Sequence, residues 1–222
     1  GGAEVRLPMM SVPLPGCRRA LIHVLLGLAA LLGGFVGAAH AVTYTKSSTG
    51  YAWIDPSAHT NVTWSSASEC SGGGMRSDDD ITAPINIGFT FNFGGTGYTQ
   101  LRVMSNGRIQ FGNNFCGYGT QTVSPVTYPY GYPNSNLNRT MKLYGADLDP
   151  SATGSGTTCA PATCHVRYAS LGASPNRSFV VTWTNVPEWS QAGSSFTMQA
   201  ILYENGEFVF QFGASTNTSG GR

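Results

Sequence analysis

Charge is scarce in this 222-residue chain: Asp, Glu, Lys and Arg make up 10% of it, as 12 basic and 11 acidic side chains. No basic stripe forms along it, so a nucleic-acid partner, which needs clustered Lys and Arg against phosphates, is not expected. Helix signals are lacking too, for no amphipathic run of helical period follows residue 41. Histidine is sparse, and only His59 and His165 lie beyond that point. Neither has the paired spacing of a zinc site, and no Gly-x-Ser-x-Gly elbow or His-Glu-x-x-His motif accompanies them, so each reads as structural.

One long apolar run is present, from Leu21 to Ala38, preceded by Arg18-Arg19 and followed by the small-x-small triplet Ala39-His40-Ala41. That order of positive flank, apolar stretch and cleavage triplet is a signal peptide. Residues 1–41 are therefore read as upstream sequence and signal, and 42–222 as one exported domain. A single membrane anchor is the competing reading, but the flanks and the triplet favour cleavage before Val42, which leaves no segment to insert in a membrane. Cys17 precedes the apolar run, so a lipoprotein signal is not indicated. The exported part carries nine basic and ten acidic residues, and is rich in Gly, Ser, Thr, Asn, Tyr and Phe.

That blend suits a secreted β-domain with polar loops. Two segments of similar pattern carry the case. Phe89 to Gly95 and Leu101 to Met104 lead through Ser105-Asn106-Gly107-Arg108 to Ile109-Gln110-Phe111. Phe196 to Leu202 leads through Glu204-Asn205-Gly206-Glu207 to Phe208-Val209-Phe210-Gln211-Phe212. Strict alternation puts one side of each strand into a core, and Asn-Gly predicts a two-residue turn with positive φ at both positions. Further strands are expected at Tyr51 to Ile54, Val62 to Trp64, Met141 to Asp149 (as a central strand), His165 to Leu171 and Phe179 to Trp183. Pro84 places the entry to the first segment at a sheet edge. The fold class is all-β: an antiparallel β-sandwich built from hairpins, cut short at its C-terminal end.

Four cysteines remain in the exported part, and in an oxidising compartment an even count reads as two bridges of three possible connectivities. Cys70 with Cys116 and Cys159 with Cys164 are favoured, because a local bridge would staple the short loop from Cys159 to Cys164. A four-cysteine zinc site would need closer ligand pairs.

The order Ile-Gly-Phe-Thr-Phe-Asn-Phe-Gly-Gly from residue 87, Val-Met-Ser-Asn-Gly-Arg-Ile-Gln-Phe from 103, Tyr-Gly-Ala-Asp-Leu-Asp-Pro from 144 and Leu-Tyr-Glu-Asn-Gly-Glu-Phe-Val-Phe-Gln-Phe-Gly from 202 resembles the nidogen-like β-domains of secreted bacterial proteins. The likeness spans essentially all of 42–222. It implies a non-enzymatic extracellular module in a pilus or adhesion setting, with an extracellular protein, a glycan or pilus components as partners.

Several constellations could carry chemistry. Asp147 and Asp149, two apart on a strand, project from one face. They could serve as acid and base of a glycoside hydrolase, bind calcium, or simply bond nearby backbone. Asp78, Asp79 and Asp80 repel one another unless a cation or solvent screens them, which makes them a further calcium candidate. Tyr118, Tyr128, Tyr130 and Tyr132, in the long excursion from Gly112 to Asn138, could stack on sugars or dock a protein, as in a carbohydrate-binding module; the alternative is that they tuck against Pro125, Pro129 and Pro133. Trp183 is expected in the core.

Overall fold

In the strand Ile85–Phe93 the side chains of Ile87, Phe89 and Phe91 are buried while Asn86, Thr90 and Asn92 face solvent, as a pleat with one wet face requires. The computed structural model describes residues 42–65, 70, 77–116, 138–144, 147–151, 159–160 and 162–216. Residues 1–41, expected to be the signal, and Tyr118, Tyr128, Tyr130 and Tyr132 lie outside the described residues. Among those described there is no helix, and so none long and apolar enough to cross a membrane. The strands all belong to one compact unit, 46–222.

The described strands are β1 (Thr60–Asn61), β2 (Ile85–Phe93), β3 (Thr96–Met104), β4 (Arg108–Gln110), β5 (Thr140–Lys142), β6 (His165–Leu171), β7 (Ser178–Val186), β8 (Phe196–Tyr203) and β9 (Phe208–Phe212). They form two antiparallel sheets, ordered β1-β6-β7-β8-β9 and β2-β3-β4-β5. One core lies between them. Phe179, Val181 and Trp183 of β7 and Met198 and Leu202 of β8 enter it from the larger sheet, and Phe89, Phe91, Leu101 and Val103 from the smaller. Each such side chain contributes about 1.5–3 kcal/mol by leaving water. Pro84 precedes β2, which is an edge strand as the proline requires. Disulfides join Cys70 to Cys116 and Cys159 to Cys164.

The structure corrects four local expectations, the briefest being Val62 to Trp64, where Trp64 makes only an isolated bridge to Thr82 and the strand is Thr60–Asn61. Both Asn-Gly turns are three-residue loops, not two-residue ones. Met104 pairs with Arg108 across Ser105-Asn106-Gly107, and Tyr203 N–H donates to the Glu207 carbonyl across Glu204-Asn205-Gly206. Only the glycines take positive φ, 73° at Gly107 and 92° at Gly206. A single left-handed residue closing a three-residue loop gives the required twist, so the asparagines keep ordinary backbone and their side chains are released for other bonds.

Tyr51 to Ile54 is extended but joins neither sheet; it crosses the outer face of the larger sheet as a strap. Its backbone pairs with side chains. Ala52 exchanges two hydrogen bonds with the Gln211 amide, at 2.8 and 2.9 Å, and Ile54 two with the Gln199 amide, at 3.2 and 2.8 Å. Arg167 then donates to the carbonyls of Pro56 and Ser57. Met141 to Asp149 is likewise not one central strand. Thr140–Lys142 is the edge strand β5, whereas Leu148 bridges to Glu188 beyond β7, because Asp149 N–H and the Asp147 carbonyl find partners in Pro187 and Trp189.

Candidate functional site

The two acidic groups read separately along the chain meet in space. One carboxylate oxygen from each of Asp78, Asp79 and Asp147 lies within 4.8 Å of the others, and all three residues are half-buried. The loop ahead of β2 supplies the first two. Asp79 takes φ 46°, a left-handed backbone that Asp tolerates, and its N–H donates to the Asp78 carboxylate at 2.9 Å. The ladder formed by Leu148 and Glu188 supplies the third.

Between them stands Asn106, from the first Asn-Gly loop and 1% exposed. Its Nδ2 donates to Asp79 Oδ1 at 3.0 Å and to Asp147 Oδ1 at 3.1 Å, while its Oδ1 accepts the Ser105 hydroxyl at 2.8 Å. Gly107 permits this approach: a Cβ there would come within 2.6 Å of the Met198 terminal methyl. The loop is thus pressed against the opposite sheet with its asparagine aimed at the carboxylates.

Asp149 completes the group from behind. It is 1% exposed; Oδ1 accepts Ser151 N–H at 2.8 Å, and Oδ2 is sealed from solvent without a hydrogen-bond partner. Asp80 belongs elsewhere. It is fully buried, its backbone exchanges bonds with Ser105, and its carboxylate caps Ile81 N–H at 2.8 Å.

Burial governs the electrostatics, with crowding of like charge behind it. Burial, reinforced by the charges of Asp149, Asp79 and Asp147, pushes Asp78 up to about 8. Burial and then the Asp79 charge raise Asp147 to about 6, against the Asn106 hydrogen bond. Asp79 is also raised by burial, with Asn106 and the Arg108 guanidinium opposing. Arg108, itself 1% exposed, lies over the Phe115 ring at 5.6 Å and donates to Gln110 Oε1 and the Phe115 carbonyl.

Another feature lies on the strap. Tyr51 and Trp53 stack with ring centroids 6.1 Å apart and planes 16° apart, and Tyr51 is 63% exposed. They line a groove of about 560 Å³ together with Asp55, His165, Arg167 and Asn185. Flat apolar faces beside fixed polar groups are what a sugar or a polar peptide segment needs.

The structure therefore joins Asp78, Asp79 and Asp147, brings Asp149 near enough for its charge to bear on all three, and sets Asp80 apart. It keeps His59 and His165 out of the acidic cluster, and it adds Asn106, Arg108, Tyr51 and Trp53, whose sequence pattern marks them only as turn or strand residues. The adjacency of Asn106 to Gly107 makes it read as part of the turn alone. Trp183 is fully buried in the core, whereas Trp189 is 44% exposed. Compared with known proteins, residues 43–222 match the family model described as NIDO related. No curated protein and no solved structure matches.

Proposed function

Since the chain belongs to the NIDO-related family, we propose that it works as a secreted, non-enzymatic interaction module of a surface protein. The family match over residues 43–222 carries this reading. Two disulfides agree with it, because such bonds persist in oxidising surroundings outside the cytoplasm. The order of the segments resembles the N-terminal region of MSHA pilus biogenesis protein Q, and on that resemblance we extend the reading to adhesion in a pilus setting. Cell fractionation tests it: the protein is expected outside the cytoplasm with residues 1–41 removed. An uncleaved chain confined to the cytoplasm would refute it.

The paired rings of Tyr51 and Trp53 favour a glycan as the ligand. On a glycan array the domain is then expected to bind a defined sugar set, and Trp53→Ala to abolish that binding. A module that recognises only proteins binds no sugar on the array. Hydrolysis at Asp147 and Asp149 is less well supported, because Asp149 is sealed from solvent.

A further inference from the structure

We propose that Asp78, Asp79 and Asp147 bind a calcium ion, with Asp149 as the buried carboxylate behind them. Three oxygens within 4.8 Å of one another give the size of the site. Asn106 fixes one oxygen each of Asp79 and Asp147, so the carboxylates are held in place rather than splayed into solvent.

The independent observation is Asp149. It sits two residues from Asp147 on the extended stretch that pairs through Leu148 with Glu188, so both carboxylates leave the same side of that ladder. Its charge bears on Asp78, Asp79 and Asp147 alike. Its Oδ2 is sealed and without a hydrogen-bond donor, a costly condition for a carboxylate oxygen unless a cation compensates it. Arg108 is the positive group whose charge reaches Asp79, and one guanidinium does not balance four carboxylates.

The donors choose the ion. They are all oxygens, with no His or Cys among them, which excludes a soft-metal site. They come from an irregular loop and a short bridged stretch, a donor arrangement of uneven geometry that calcium accepts and magnesium, with its strict octahedron, does not. A bound ion would fasten the loop ahead of β2 to the stretch between β5 and β6 that bridges to Glu188. The inference holds whatever the groove on the strap binds.

Terbium is a suitable probe, since Trp189 is next to the site in the fold, its backbone N–H donating to the Asp147 backbone carbonyl at 2.7 Å. On excitation of tryptophan, the purified chain is expected to sensitise terbium luminescence in a saturable way, and calcium to compete it away with a midpoint of about 0.1–1 mM, the range of extracellular modules. Asp147→Asn and Asp79→Asn should each weaken calcium binding at least tenfold by calorimetry, while Glu207→Gln, in the distant β8–β9 loop, leaves it unchanged. Calcium that fails to compete at about 10 mM would overturn the proposal. So would equal affinity in the wild type and both Asp variants. Because the first measurement needs only the wild-type chain, a variant that does not fold leaves the proposal open to refutation.

Discussion

Asn106 spends its amide on two carboxylates that lie 27 and 41 residues away in sequence. Its replacement by Ala removes both bonds and leaves Asp79 and Asp147 facing each other unscreened. We expect Asn106→Ala to lower stability by about 2–3 kcal/mol in urea unfolding with chelator present, since hydrogen bonds to charged groups are the stronger kind. An unchanged midpoint would mean that solvent replaces those bonds at no cost. This residue also marks the limit of what the sequence conveys. Asn-Gly correctly signals a hairpin, but the conformational explanation accounts for the asparagine entirely and hides its side chain. The carboxylates are legible one local group at a time; that they form one site depends on the β3–β4 loop lying between the loop ahead of β2 and the Leu148–Glu188 ladder, a tertiary fact.

At the level of elements, strand β8 is readable because Phe196, Met198, Ala200 and Leu202 alternate into the core, and β9 because Phe208 and Phe210 pack against it. Gln199 and Gln211 lie on the other side of these strands, where alternation predicts water; instead they are buried beneath the strap. Nothing local distinguishes a glutamine that faces solvent from one that pairs with a passing backbone, and the aromatic residues of the strap give it the pattern of a strand. The loop ends are less legible still. Glu204, before Asn205-Gly206, joins the β8–β9 loop to the β6–β7 turn: it accepts from the Arg177 guanidinium, the Arg177 N–H at 3.1 Å and the Ser174 hydroxyl at 3.2 Å. The hydrogen bonds from the Arg177 side chain, above all, hold its carboxyl down at about 2 against an ordinary 4.5. A depressed carboxyl stabilises the fold fully above the unfolded value of 4.5 and loses that contribution as pH falls towards 2. Thermal melts across this acid range should therefore show a decline that Glu204→Gln flattens, with a lower melting temperature for the variant at neutral pH. Parallel curves for the two proteins would show that the pair is idle.

Across the whole molecule the two disulfides have unequal tasks. Cys70 and Cys116 are 46 residues apart and tie the segment after β4 to the loop ahead of β2, while Cys159 and Cys164 are only 5 apart. Chain-entropy arguments assign the longer closure about 4 kcal/mol and the shorter about 2 kcal/mol. Replacing Cys70 and Cys116 by Ser should lower the urea midpoint more than replacing Cys159 and Cys164; the reverse order would show that native contacts, not loop closure, set the effect. The strap adds a connection of another kind, between residues 145 and 159 positions apart. Mechanically it is a peel joint. Tension applied to the chain ahead of Tyr51 reaches the Gln211 pair first, then the Gln199 pair, then Arg167, so these fastenings yield one after another while the sheets beneath stay loaded only at the last of them. A module tethered from that end gives way gradually before it breaks.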